Sequence, residues 1–254
     1  MKVKHLLSTS SKFFATGALL LTTSIAQAEV ITWDFSSSHT GSDHQLIGDY
    51  DEYGNSRIFT EEGHSVTVSA VSEKDDDTFS ASAVGRYNTG IGVCNQFEGS
   101  YCFSSDTLHQ VDNVAQEDWV LFVFDQDVDM SSIIIDPFGY HDRDVSYWVG
   151  NVADDIDLVG KTYSDLAGLG FGDQQNIFNS SGNGPLSLGL GNVTGNALLF
   201  GSYRYGGDDR FKIRSLTAHV APEPSAVPEP SSLALLALSL VGLGISRRKL
   251  ALRK

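Results

Sequence analysis

The sequence predicts an all-β protein with a single β-sandwich, of jelly-roll-like type, between residues 29 and 220. Short segments in which apolar and polar residues alternate recur along this stretch, and clusters of Gly, Asn, Asp and Ser separate them. No long amphipathic helix pattern appears. A length of about 190 residues is ordinary for one sandwich domain.

Seven segments carry the strand signal. They are VITWDF at 30–35, SVTVSAV at 65–71, WVLFVFD at 119–125, SIIID at 132–136, VSYWVG at 145–150, NALLFGSYR at 196–204 and FKIRSLTAHV at 211–220. WVLFVFD is almost continuously apolar, so we expect a central strand that is buried on both faces. The last segment alternates with a slip at Ser215, and Gly206-Gly207-Asp208-Asp209 before it predicts a tight hairpin.

The three tryptophans divide into two groups. Trp33 and Trp119 lie within apolar strand patterns, which predicts core positions. Trp148 is the one we expect to be exposed, where it would serve a carbohydrate-stacking surface.

Residues 1–28 have the order of a secretory signal peptide. Lysines precede an apolar stretch at 13–25, and the small residues of Ala-Gln-Ala at 26–28 follow it. The apolar stretch is too short to cross a bilayer comfortably, so we expect cleavage between Ala28 and Glu29.

The C-terminal end predicts a membrane anchor. A Pro-rich linker at 221–227 leads to residues 228–254, where an uncharged stretch at 231–245 precedes the basic residues Arg247, Arg248 and Lys249. The uncharged stretch is shorter than the roughly 20 residues of a usual span. The basic residues would stop transfer, leaving the domain outside and the last residues in the cytoplasm.

This tail resembles the PEP-CTERM sorting signal of Gram-negative bacteria, with Pro228, Glu229 and Pro230 as the triplet. The earlier Pro222-Glu223-Pro224 lacks an adjacent apolar run. The resemblance implies residence in the inner membrane, then cleavage near the triplet by an exosortase, a membrane protease-transpeptidase. It further implies delivery to the cell surface or the exopolysaccharide matrix.

A second resemblance lies inside the domain. GIGVCN at 90–95, HQVDN at 109–113 and WVLFVFDQDVDMSSIII at 119–135 are similar to stretches of exosortase-dependent surface proteins. This similarity implies sorting and fold, and it implies no activity.

The domain is strongly acidic. Residues 29–220 hold nine Lys and Arg against 30 Asp and Glu, a net charge of −21, compared with −15 for the whole chain. Such a surface attracts cations and lacks the basic stripe that nucleic acid requires, so nucleic-acid partners are excluded.

The two cysteines, Cys94 and Cys102, are separated by seven residues with turn-like chemistry between them. In an exported protein a close pair of this kind predicts a disulfide across a loop.

Asp125, Asp127 and Asp129 form a D-x-D-x-D pattern that imitates a calcium loop. Met130 stands where such a loop needs Gly, so the favoured interpretation is an acidic hairpin between a strand that ends at Asp125 and one that resumes at Ser132. Calcium binding at these carboxylates remains the alternative.

The HQVDN stretch offers another polar group. Its side chains, Asp112 among them, are expected to cap a turn by binding backbone amides. The alternative is a cation site with Glu117 or Asp118. Loops at 75–77 and 141–144 are further acidic tips from which a calcium site on a sandwich edge could be assembled.

No catalytic residues are predicted, because the chain has no G-x-S-x-G, H-E-x-x-H or P-loop motif. We therefore expect a structural or binding protein of the cell surface or matrix, not an enzyme, with no obligatory cofactor. Two alternatives stay open: a Ca²⁺-dependent carbohydrate-binding module, and a secreted polysaccharide hydrolase that uses a carboxylate pair.

Overall fold

The computed structural model describes residues 28–36, 53–74, 76–97, 109–114, 116–137 and 139–221. The all-β prediction is confirmed for this part of the chain. The strands are β1 (Glu29–Asp34), β2 (Ser56–Glu61), β3 (His64–Glu73), β4 (Phe79–Tyr87), β5 (Gly90–Cys94), β6 (Val111–Asp112), β7 (Asp118–Asp136), β8 (Val145–Gly150), β9 (Gln175–Ile177), β10 (Leu186–Ser202) and β11 (Arg210–Val220). A 3₁₀-helix spans Tyr163–Leu169.

Hydrogen bonds join the strands into one sheet in which neighbours run antiparallel. Strand β7 pairs with β3 along its first part and with β11 along its last part, while β10 accompanies it on the other side. Because β3, β4, β5 and β11 also pair in succession, five strands close a ring. Strands β8 and β9 extend the sheet beyond β10.

The acidic hairpin expected after Asp125 is wrong, because β7 continues unbroken for 19 residues. Strand β10 supplies partners along both halves of β7, with irregular register opposite the acidic stretch. Asp125 and Asp127 point to solvent, whereas Val128 and Met130 are buried. Extended backbone therefore buries the apolar residues of this stretch while leaving the carboxylates of Asp125 and Asp127 exposed.

Side chains on one face of the sheet form a first core. Its members come from β1, β3, β4, β5, β6, β7, β8, β10 and β11, and they include the fully buried Trp33, Phe122 and Phe200. The expected slip at Ser215 is confirmed, since the pairing of β11 with β7 shifts between Ile213 and Ser215. The shift returns Leu216 to the buried face.

The opposite face carries a second core, which residues 151–171 cover. The buried apolar residues are Val71, Phe79, Trp119, Leu121, Trp148, Val152, Leu158, Leu166, Phe171, Ala197 and Leu199. Strand β7 thus lies between two cores, as its continuous apolar run predicts.

The expectation that Trp148 is exposed is wrong. Only 5% of its surface is accessible. Its ring packs edge-on against Trp119 with centroids 5.1 Å apart, and Tyr163 stacks on it at 5.7 Å. The segment 151–171 buries this tryptophan, and the local pattern of β8 does not reveal that cover.

Several predictions fall outside the described residues: the signal peptide, the linker after Ala221, the Pro-Glu-Pro triplet, the apolar stretch and the basic tail. The predicted disulfide also remains a prediction, because Cys94 is buried at the end of β5 but Cys102 lies outside. Within the described ranges, no helix is both long and apolar enough to span a membrane. Glu29 and Val220 are paired neighbours, so the two ends of the domain lie side by side.

Candidate functional site

Three carboxylates meet where the connection before β8 approaches the start of β11. Asp142, Asp144 and Asp209 each place one oxygen within 4.8 Å of the others. A backbone bridge joins Asp142 to Asp209, and the amide of Arg210 donates to the carbonyl of Asp142 at 3.2 Å. Backbone pairing therefore fixes the distance between Asp142 and Asp209 without a contribution from a ligand.

Two asparagines orient the group. The Asn113 side chain donates to Oδ2 of Asp209 at 2.6 Å and accepts from the Asp209 amide at 3.0 Å. The amide of Asp144 donates to Oδ1 of Asp209 at 2.8 Å, and the amide of Asn179 donates to Oδ1 of Asp144. These bonds hold two of the three carboxylates in fixed orientations.

The site is electrostatically unbalanced. Among the described residues, no Lys or Arg nitrogen forms an ion pair with these three carboxylates. Burial raises the pKa of Asp209 to about 6, and the charges of Asp144 and Asp142 add to the rise, although the Asp144 amide and Asn113 oppose it. Burial also raises the pKa of Asp144. Closely spaced acids of this kind favour a bound proton or a hard cation such as Ca²⁺, which prefers oxygen ligands.

The carboxylates singled out from the sequence lie elsewhere. Asp125, Asp127 and Asp129 follow one another on β7, where extended backbone separates Asp125 from Asp129 by about 13 Å. Oδ2 of Asp125 accepts the amide of Ser65 at 2.7 Å. The structure thus does not bring these three together.

Asp112 behaves as the turn interpretation expects. Its Oδ1 accepts the amide of Val114 at 2.9 Å. Its neighbour Asn113 is the link to the acidic group, since it binds Asp209. The sequence singled out the right stretch for turn chemistry but gave no sign of that contact.

Asp209 is the residue that sequence reasoning missed. The predicted tight hairpin at Gly206-Gly207-Asp208-Asp209 is wrong, because β10 and β11 pair with β7 and not with each other. This stretch belongs to the connection between Ser202 and Arg210. The two acidic loops are about 65 residues apart in sequence, and neither loop contains a pattern that predicts their contact.

A second polar cluster borders the second core. The amide of Glu73 donates to the carbonyl of Glu117 at 2.9 Å, and the Tyr163 hydroxyl donates to Oε2 of Glu73 at 2.6 Å. Trp119 Nε1 donates to that hydroxyl at 2.9 Å, and the guanidinium of Arg204 lies 3.6 Å from the Tyr163 ring centre. Two strands and the covering segment thus share one hydrogen-bonded network.

A hydrogen bond links the side chains of Glu117 and Glu73. Burial, the hydrogen bond to Glu73 and the Glu73 charge together raise the pKa of Glu117 to about 8, against a lowering by Arg204. Glycosidase carboxylates stand about 5 to 9.5 Å apart, with the sugar between them. This directly bonded pair, closed over by Tyr163, instead suits a structural link.

The family model for the PEP-CTERM protein-sorting motif matches residues 226–249. The prediction of a PEP-CTERM tail is therefore confirmed. The motif implies export, anchoring through the C-terminal end, and processing by an exosortase-type enzyme on the way to the cell surface. The similarity of residues 90–135 to exosortase-dependent surface proteins remains a prediction.

One solved structure is similar to the domain, a DUF4465 family protein from Bacteroides ovatus ATCC 8483. The match has 10% sequence identity and a TM-score of 0.33, and it covers 76% of this chain and 99% of that chain. No curated protein matches the sequence.

Proposed function

We propose that this protein is a structural or binding component of the cell surface or exopolysaccharide matrix, without catalytic activity, that an exosortase-type enzyme delivers. The observation that carries the proposal is the sorting motif at 226–249 behind an all-β domain. The motif would direct the protein to the cell surface, and the β domain is the part that would be exposed there.

The arrangement of the domain ends supports this proposal. Glu29 pairs with Val220, so the signal peptide and the sorting tail would leave the domain at the same edge. The net charge of −21 in residues 29–220 would keep the domain away from an anionic membrane while the tail is processed.

Mass spectrometry of the mature C-terminus tests the delivery step in the native host, with and without its sorting protease. We expect a new C-terminus near Pro228–Pro230 that depends on the protease. Glu229→Ala should block processing, whereas Glu223→Ala in the upstream triplet is the matched control and should not. An intact Lys254 in both strains would contradict the proposal.

Calcium-dependent binding is the second candidate function. The convergence of Asp142, Asp144 and Asp209, which form no ion pair with a described Lys or Arg, favours it. A bound ion would offset the repulsion among these acids and hold the connection before β8 to the start of β11, next to loops that could contact a glycan.

Thermal denaturation at pH 7 with millimolar Ca²⁺, and then with chelator, tests this candidate. We expect Ca²⁺ to raise the Tm by several degrees, because a ligand that binds only the folded state stabilises it. Asp209→Asn should remove the shift, and Asp173→Asn, an exposed acid away from the site, should keep it. An unchanged Tm in the unmutated protein would exclude calcium from this role.

A further inference from the structure

A cavity of about 290 Å³ opens beside the second core. It lies between the outer sides of β3 and β7 and the stretch 154–159 of the covering segment. The volume is at the lower end of ligand pockets, which suits one or two sugar rings.

Small residues leave this space open. Gly54 and Ala81 form one side, and a Cβ on Gly54 would contact the Ala81 side chain at 3.6 Å. Gly54 has φ +87°, so a larger residue there would be strained. The floor is apolar, with Leu121 and Val123 of β7 continuing the second core towards solvent.

The hydroxyl groups of the cavity have hydrogen-bonding capacity that the described part of the protein does not use. The hydroxyls of Ser56, Thr67 and Ser69 line it, and none of them forms a hydrogen bond to another described residue. They therefore offer both donors and acceptors to a ligand. Hydroxyls above an aliphatic floor match the two sides of a sugar ring, one lined by C–H groups and one by hydroxyls.

One wall is acidic. Asp154 and Asp155 are exposed there without an ion pair to any described Lys or Arg, and Asp157 uses only Oδ1, to accept the amide of Val159. Among the described residues, no Lys, Arg or His lines the cavity. The wall therefore repels uronates, sulfates and phosphates and attracts an ammonium group.

We propose that this cavity binds an amine-bearing sugar unit, a hexosamine, of an extracellular polysaccharide. The C–H face of the ring lies on Leu121 and Val123, its hydroxyls bind Thr67 and Ser69, and its ammonium group faces Asp154 and Asp155. The inference rests on the proposed function for the presence of a polysaccharide, and on the cavity for its chemistry.

Calorimetric titration of the mature protein tests the proposal with three soluble oligosaccharides: a glucosamine tetramer, its N-acetylated form and an oligogalacturonate. We expect the amine form to bind at least about tenfold more tightly than the acetylated form, a difference of about 1.4 kcal/mol. No binding is expected for the uronate. Equal binding of the amine and acetylated forms, or of the uronate, would overturn the assignment.

Two double substitutions distinguish binding in the cavity from general charge attraction. Asp154→Asn with Asp155→Asn should weaken binding of the glucosamine tetramer about tenfold or more. Asp127→Asn with Asp173→Asn changes the net charge equally at exposed acids outside the cavity and should leave binding intact. Equal losses in both pairs, or no loss in either, would contradict the proposal.

Ser69→Leu supplies an independent steric test, because its side chain would fill the cavity without changing charge. Binding should be lost while the circular dichroism spectrum stays unchanged. If the folded variant still binds, the ligand lies elsewhere. None of these outcomes depends on C-terminal processing, so the cavity proposal and the delivery proposal fail separately.

Discussion

The two cores share the same central strand but are closed in different ways. Successive residues of β7 serve both, since Val120 and Phe122 enter the first core while Trp119 and Leu121 enter the second. Paired strands surround the first core. Residues 151–171 cover the second core. Their regular structure consists of one short 3₁₀-helix and a few isolated bridges.

The cover is attached through scattered bonds. Phe79 exchanges backbone hydrogen bonds with Lys161 and Gly160 at 2.8 Å, and the Val152 amide donates to the Asn196 side chain at 2.8 Å. The Tyr163–Glu73 bond adds an ionisable link. One sheet can therefore combine a core that is closed by paired strands with a core whose cover is held by a few separate backbone and side-chain hydrogen bonds.

Cavity-forming substitutions should show the largest difference between the two cores in the free energy of unfolding. Phe122→Ala in the first core should lower the free energy of unfolding by about 3–5 kcal/mol, because the side chain is fully buried among ladder strands. Leu166→Ala under the cover should cost about 2–3 kcal/mol, since residues 151–171 can settle into the space. Denaturant titration followed by circular dichroism measures both, and a larger loss for Leu166→Ala would reverse the ranking of the cores.

The raised pKa of Glu117 should make the second core sensitive to pH. The pKa of Glu117 rises from 4.5 to about 8 on folding, so its stabilising contribution is complete below pH 4.5 and is lost as pH rises through about 8. Because the group is only half-buried, we expect a loss of about 1–3 kcal/mol between pH 5 and 9.

Glu117→Gln tests this contribution, since an amide keeps the hydrogen bond without titrating. The variant should be more stable than the unmutated protein at pH 8 and should lose most of the slope in Tm against pH. Glu61→Gln, at an exposed glutamate of β2, is the control and should retain the slope. An unchanged slope in Glu117→Gln would show that other groups titrate.

The smallest effect is expected at Arg204, whose guanidinium lies over the Tyr163 ring. Arg204→Lys keeps the charge but loses the planar stacking, which should cost about 0.5–1 kcal/mol. For a domain of this size that is a fall in Tm of roughly 1–4 °C. A fall as large as that of Leu166→Ala would mean that Arg204 holds the cover through more than its stacking.

Sequence patterns captured the parts of the fold that depend on local chemistry. The apolar run at 119–125, the core positions of Trp33 and Trp119 and the slip at Ser215 are visible because side-chain period reports which face is buried. Strand β4 was missed, because FSASAVGRY consists mainly of small residues that give little alternation. Its place in the ring comes from the neighbours that pair with it.

By itself, the sequence determined that the protein is all-β, strongly acidic and equipped with a PEP-CTERM sorting tail, because composition, period and a contiguous motif are all local properties. Only the tertiary structure decided that β7 runs unbroken, that Trp148 is covered and that Asp209 meets Asp142 and Asp144. Strand β10 pairs along both halves of β7, residues 151–171 pack over Trp148, and a backbone bridge joins Asp142 to Asp209. Each of these contacts forms between segments of the folded chain, so no single stretch of sequence records it.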